Sequence, residues 1–257
     1  MNAEYQAFAE KLGRLAGEVI RPLFFNPALT VELKADDSPV TVADREVEKL
    51  IRAEINRCHP SHGIIAEEFG NDRPDAEFVW VIDPIDGTVS FTAGCPLFGT
   101  LIGLLHQGRP VLGLIYQPII DQLCIGDNTL TLLNGNPVRA RDTATLSAAT
   151  LLTTDLANIE RHQNHAHFEQ LRRRARLTRT WGDCYGYLLV AAGLADVMMD
   201  PIMNPWDLLP LIPIIRGAGA IISAWDGGDP LTATSSIAAA PKLHAEVIAI
   251  LNQSAMA

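Results

Sequence analysis

Tyr5, Phe8, Leu12, Leu15 and Val19 recur at steps of three and four, which predicts an amphipathic helix with one stripe facing a core. A second helix starts near Ala43, carries Val47, Leu50, Ile51 and Ile55, and places Asp44 in its first turn. The apolar run from Gly63 to Ala66 reads as a short strand ending in the paired acids Glu67 and Glu68, and Phe78 to Ile82 reads as a buried strand. From Gly99 onward the pattern is β: Leu101 to Leu105, Val111 to Tyr116 and Leu123 to Ile125 are divided by turn-like Gln107-Gly108-Arg109-Pro110 and by Pro118 to Asp121. Asn134-Gly135 is a two-residue hairpin signal. Strand and helix then alternate: strand Thr150 to Thr153, helix Ala166 to Arg174, strand Leu177 to Trp181, helix Cys184 to Ala192, strand Val197 to Met199, helix Pro205 to Arg216, strand Ala220 to Ala224, helix Lys242 to Leu251. Pro210 conflicts with an unbroken helix and predicts a kink or a 3₁₀ start. This mixed order implies a layered α/β sandwich. The chain reads as a single domain over residues 1–257, with two packed halves of about 1–145 and 146–257.

The segment Asp83-Pro84-Ile85-Asp86-Gly87-Thr88 carries the chemistry. A buried strand delivers two carboxylates three positions apart onto a turn stiffened by Pro84 and loosened by Gly87. They repel unless a cation joins them. Oxygen ligands without a nearby His or Cys favour a hard ion, Mg²⁺ or Mn²⁺, over zinc. An isolated Asp-x-x-Asp reads as a surface turn, but this one has partners. Upstream stands Gly63-Ile64-Ile65-Ala66-Glu67-Glu68-Phe69-Gly70; downstream, Pro205-Trp206-Asp207 opens an apolar helical segment. Earlier still, the stretch from Lys34 through Asp36-Asp37-Ser38-Pro39 to Asp44 runs from a polar loop into a helix.

These four segments, in this order, resemble the inositol monophosphatase family of Mg²⁺-dependent, lithium-sensitive phosphatases over nearly the whole chain. The resemblance implies an α-β-α-β-α sandwich of the inositol monophosphatase and fructose-1,6-bisphosphatase type, with the metal site between the halves. It implies that Glu67, Asp83, Asp86, Asp207 and the carbonyl of Ile85 hold two or three Mg²⁺ ions, with Mn²⁺ as a substitute. It assigns Asp44 and Thr88 to positioning the attacking water, with Glu67 beside them, and Asp86, Gly87 and Thr88 to contacting the substrate. Ala66 departs from the Gly that usually precedes the paired acids.

Within the family, Phe91 to Ile102 and Trp181-Gly182-Asp183-Cys184-Tyr185-Gly186-Tyr187 resemble the histidinol-phosphate phosphatases more than the inositol enzymes. Val89-Ser90 departs from the Arg-Ala common in that branch. Histidinol carries an ammonium group and an imidazole where inositol has only hydroxyls, so an acid near the leaving group favours it. Asp183 and Asp200 are the candidates. Asp183 also reads as a helix N-cap, and Asp200 as a strand-end acid satisfied by backbone N–H groups. The resemblance thus implies a phosphoric monoester hydrolase acting on L-histidinol phosphate in histidine biosynthesis. The alternatives are an inositol or other sugar-phosphate phosphatase, and a silent metal- or ligand-binding relative.

Composition narrows the partners. The chain of 257 residues is 48% hydrophobic, enough for a large core, and its formal charge of −10 argues against a nucleic-acid partner. Arg172, Arg173, Arg174, Arg176 and Arg179 therefore read as a solvated helix face or a contact across a homodimer. His162, His165 and His167 suggest a metal only weakly, because that spacing in a polar segment is commonly a solvated helix start. Cys58, Cys95, Cys124 and Cys184 form no Cys-x-x-Cys pair and read as free thiols in a reducing, cytoplasmic setting. No signal peptide or membrane span is expected, since Pro210, Pro213 and Arg216 break the longest apolar stretch.

Overall fold

The computed structural model describes residues 2–33 and 39–253, so the Lys34 to Ser38 part of the expected loop lies outside the described residues. Asn2 caps helix α1 (Ala3–Ile20) by accepting the Glu4 N–H at 3.0 Å. A two-stranded antiparallel ribbon, β1 (Val31–Leu33) and β2 (Pro39–Thr41), leads into α2 (Val42–Cys58). There Thr41 and Asp44 form a capping box, and the Thr41 N–H donates to Asp44 at 2.8 Å.

The first sheet runs in chain order through β3 (Gly63–Ala66), β4 (Phe78–Asp86), β5 (Gly99–His106), β6 (Arg109–Gln117), β7 (Gln122–Gly126), β8 (Thr131–Leu133) and β9 (Asn136–Val138). Only the β3–β4 pair is parallel. The short helix α3 (Thr88–Thr92) joins β4 to β5. Asn134 and Gly135, with φ of 48° and 77°, make the tight β8–β9 turn that the Asn-Gly pair predicts.

The second part contains β10 (Thr150–Thr153), α4 (Leu156–His162), α5 (His165–Arg174), β11 (Leu177–Arg179), α6 (Asp183–Ala191), β12 (Val197–Asp200), α7 (Pro205–Leu208), α8 (Leu211–Gly217), β13 (Ile221–Ser223), β14 (Ser236–Ala239) and α9 (Pro241–Leu251). Its strands lie in the order β11-β10-β12-β14-β13.

Three apolar cores separate the layers. Leu12 and Ile20 of α1 and Ile51 and Ile55 of α2 pack on Trp80 and Leu114 of the first sheet. Tyr187 of α6 and Ile212 and Ile214 of α8 fill the space between Leu101 and Ile115 on one side and Met198 on the other. Phe168 of α5 and Leu243 and Val247 of α9 cover Val197 and Met199 from outside. The result is the α-β-α-β-α sandwich expected from the sequence. The middle helices sit close to the first sheet because it offers glycine there: a Cβ on Gly113 would lie 1.8 Å from the Pro210 carbonyl oxygen, and one on Gly126 would lie 2.6 Å from Ile214 Cα.

Two local expectations are corrected. Strand β4 does not stop at Ile82 before a turn; it continues to Asp86, and its pairing with β5 shifts register between Asp83 and Asp86. The single helix expected from Pro205 to Arg216 divides into α7 and α8 around Leu209-Pro210, where the ring ends the hydrogen-bond ladder. Two elements had no strong periodic signal: α4, which is mostly polar, and β14, which is the small-residue run Ser-Ile-Ala-Ala buried between β12 and β13.

Candidate active site

The acids of β4 are held by the backbone around them. Asp83 is buried and accepts the Ile85 N–H at 3.0 Å, while Thr100 Oγ1 donates to the Pro84 carbonyl at 2.8 Å. These bonds tie the irregular end of the strand to β5. Gly87 then turns the chain at φ +89°, and a Cβ there would meet the Asp183 carboxylate at 2.8 Å and the Leu97 carbonyl at 3.0 Å. Thr88 follows, with Oγ1 at 2.9 Å from the Ile85 carbonyl and 3.3 Å from Asp44 Oδ1. Asp44 is anchored through its other oxygen, Oδ2, which accepts the Thr41 N–H and the Thr41 hydroxyl at 2.7 Å.

The remaining acids come from distant segments. Asp207 stands at the third position of α7 and accepts the Asn204 N–H at 2.7 Å in a second capping box. Asp86 accepts the Cys184 N–H from the first turn of α6, so one hydrogen bond joins the two sheets' territories at the site. Carboxylate oxygens of Asp83, Asp86 and Asp207 all lie within 4.8 Å of one another. Glu67, in the turn after β3, lines a 460 Å³ cavity beside this cluster together with Gly87, Thr88 and Asp183.

Crowding and burial change how these acids titrate. Burial, then the charges of Glu67, Asp86 and Asp207, raises the Asp83 carboxyl well above its ordinary value. Asp86 is raised likewise by burial and then by Asp183 and Asp207, against the opposing Cys184 hydrogen bond. Burial, helped by Glu67 and opposed by the Asn204 N–H, pushes Asp207 up to about 7. Burial also raises Asp44, although its bonds to Thr41 pull the other way. Among the described residues no Lys or Arg lines either cavity at the cluster, and the donors that converge there are oxygens, so the site suits a hard divalent cation.

A smaller cavity of 140 Å³ opens on the far side of Asp86 and Asp207 and is lined by Asp155, Asp183, Tyr187 and Asp200. Asp183 is not a helix N-cap. Gly182 occupies that position without a side-chain bond, and Asp183 is the first helical residue at φ +50°, its N–H donating to Thr154 Oγ1 at 2.8 Å. Its carboxyl, raised to about 7 by burial and then by Asp200 and Asp207, faces Gly87 across the site. Asp200 does end a strand, and it accepts one backbone N–H, from Thr154 at 3.3 Å, together with the Tyr187 hydroxyl at 3.0 Å. Tyr187 is in turn bonded to Ser236. Burial raises Asp200 to about 6, with the Thr154 and Tyr187 bonds opposing. Thr154, Asp155, Asn158 and Tyr187 line this wall without having been singled out by sequence. The available signal was the polar run Thr153-Thr154-Asp155 at the C-terminal end of an expected strand.

Other sequence features stay outside the site. His162, His165 and His167 do not converge as ligands among the described residues, and His167 Nδ1 lies 2.9 Å from the Leu251 carbonyl oxygen. Arg172 pairs with Glu169 at 2.7 Å and Arg174 with Glu246 at 2.6 Å. All four cysteines are free thiols. No described helix is long and apolar enough to cross a membrane.

The chain matches the inositol monophosphatase family over residues 1–256. It belongs to that family. A histidinol-phosphatase of Chlorobaculum parvum is 41% identical over 82% of each chain. A chloroplastic bifunctional phosphatase of Arabidopsis thaliana is 40% identical over 93% of this chain and 70% of its own. The solved structure of an inositol monophosphatase from Zymomonas mobilis superposes with a TM-score of 0.87 at 38% identity, covering 98% of this chain and 99% of that one. The protein is therefore a phosphoric monoester hydrolase of a metal-dependent family, and its buried carboxylate cluster is the feature that suits a metal.

Proposed function

We propose that this phosphatase hydrolyses L-histidinol phosphate, with Mg²⁺ as the metal held by Glu67, Asp83, Asp86, Asp207 and the Ile85 carbonyl. The observation that carries the substrate is the acidic wall beside the cluster: Asp183 and Asp200 border the cavity, and no basic side chain among the described residues lines it. A cationic leaving group gains charge-assisted hydrogen bonds there, whereas a polyol gains less. The name of the Chlorobaculum relative supports the same reading. The Zymomonas structure favours the alternative, inositol 1-phosphate, on the same chemistry.

Divalent cations at such a cluster polarise the phosphoryl group, make water more acidic and stabilise the leaving oxygen. The chain's own residues supply the orientation. Asp44 Oδ2 is fixed by Thr41, which leaves Oδ1 facing Thr88 Oγ1 at 3.3 Å, and this pair holds the attacking water and receives its proton. Backbone N–H groups of Gly87 and Thr88 contact the phosphate, and the left-handed turn at Gly87 presents them. Asp183 and Asp200 pair with the ammonium and imidazole of the alcohol.

Phosphate release from histidinol phosphate and from inositol 1-phosphate, assayed side by side at saturating Mg²⁺, tests this reading. The expected result is a higher kcat/KM for histidinol phosphate, with lithium inhibition and loss of activity on exhaustive treatment with EDTA. A preference for inositol 1-phosphate overturns the substrate, and activity that survives chelation overturns the metal assignment.

A further inference from the structure

Helix α2 carries Asp44, Glu48 and Arg52 at four-residue spacing, one polar stripe beside the apolar Val47, Ile51 and Ile55. Glu48 is fully buried, and its two carboxylate oxygens are spent on a single turn of chain. One accepts the Glu68 N–H at 2.7 Å; the other accepts the Phe69 N–H at 3.0 Å and Arg52 Nε at 2.7 Å. Arg52 reaches onward and donates to the carbonyl of Gly70, where φ is +70°. The turn that follows β3 is thus gripped through its N–H groups by Glu48 and through its C=O by Arg52. Glu67 is the residue immediately before the gripped amides.

We propose that Glu48 is a positioning residue for the metal site: through Arg52 and the residue 68–70 backbone it sets where Glu67 enters the site, and α2 thereby ties Glu67 to Asp44. Both Glu48 oxygens are bonded to the two amides that follow a candidate ligand, so a change at Glu48 is passed directly to the turn that carries Glu67. Burying a charge is costly unless it is fully hydrogen-bonded, and here the bonds all go to that one turn and the arginine that completes it. The inference rests on the proposed role of Glu67 as a metal ligand.

The test is calorimetric titration of Mg²⁺ into the metal-free full-length protein, read together with thermal melting, for Glu48→Gln, Arg52→Gln and Glu67→Gln. A glutamine at position 48 keeps the volume but turns an N–H₂ group toward an amide donor. The expected result is a Kd for Mg²⁺ raised by about tenfold in Glu48→Gln, since hydrogen bonds to a charged group carry roughly that weight. A smaller rise is expected in Arg52→Gln, which leaves Glu48 in place and provides the reading if Glu48→Gln does not fold. The Mg²⁺ concentration for half-maximal activity should rise in parallel, while kcat at saturating Mg²⁺ changes little. Lower melting temperatures with native Mg²⁺ affinity in both variants, alongside weakened affinity in Glu67→Gln, overturn the proposal. Native affinity in Glu67→Gln overturns the ligand role of Glu67, and the proposal with it.

Discussion

Two groups of acids meet at the site, and burial raises both above the ordinary carboxylate range, with neighbouring carboxylates adding to it in only one group. Asp83, Asp86 and Asp207 crowd within 4.8 Å, and after burial it is neighbouring carboxylates that raise Asp83 and Asp86. Asp200 is raised by burial alone, and the Thr154 N–H and Tyr187 hydroxyl hold it as an oriented single acceptor. The first arrangement is complete only when positive charge enters it. The second is already held by hydrogen-bond donors of the fold, and the proposed function gives it a cationic group of the substrate as partner. Asp183 stands between the two, influenced by Asp200 and Asp207 and facing Gly87.

The largest effect is expected where the acids depend on one another. Asp83→Asn or Asp86→Asn removes charge the ions need, and kcat/KM should fall by several orders of magnitude with the fold intact. Near-native turnover in either variant at saturating Mg²⁺ would remove the cluster from the chemistry.

The metal-free protein should report the same dependence through pH. Asp183 and Asp207 reach about 7 and Asp200 about 6 in the folded chain, against about 3.9 for an unfolded aspartate. Between those values the folded state keeps protons that the unfolded state has lost, so the contribution of these three groups is fully present below about pH 4 and is lost as pH rises through 6 to 7. Mg²⁺ replaces the protons and should reverse the trend, because binding strengthens as the ligands ionise. Melting temperatures measured from pH 5 to pH 8, with EDTA and with Mg²⁺, check this. An EDTA-treated protein that melts at the same temperature throughout would show that these acids are not strained in the metal-free fold.

A third change separates the groups by packing. Gly113→Ala drives a methyl into the Pro210 carbonyl, pushing α7 and its Asp207 while leaving β4 and Asp200 in place. The expected cost is about 3 kcal/mol in urea denaturation, at the upper end for overpacking. Mg²⁺ affinity should weaken, with the ratio of activities on charged and uncharged substrates kept. Unchanged stability would mean that the sheet gives way without cost at this glycine.

The same contrast explains what sequence could reveal. The cluster was legible because its signals are local: an apolar strand ending in Asp83 and Asp86, acids after β3, and Pro205-Trp206-Asp207 at a helix start. The acidic wall with Asp183 and Asp200 is assembled from the ends of β10 and β12 and the start of α6, and no local period announces that Tyr187 will bond Asp200 thirteen residues away. Asp183 reads as an N-cap by residue type, yet Gly182 takes that position, and Asp183 sits at φ +50° with its N–H donated to Thr154, a contact from a distant segment. Pro210 announced a conflict in its helix, and the helix divides there, while the close approach of the Pro210 carbonyl to Gly113 is a long-range contact that no local pattern shows. Strand β14 escaped because Ser-Ile-Ala-Ala has little hydrophobic weight and owes its place to β12 and β13 on either side.

The most direct test of the account is the selectivity of the second group of acids. kcat/KM is measured for wild type, Asp183→Asn and Asp200→Asn on histidinol phosphate and on inositol 1-phosphate. Loss of a charge-assisted partner costs about 1.5–3 kcal/mol, which is roughly ten- to a hundredfold. The account predicts that loss on histidinol phosphate for at least one variant, with a far smaller loss on inositol 1-phosphate. Equal losses on both substrates would contradict it, by showing that Asp183 and Asp200 serve the fold or the metal geometry and not the recognition of a cation.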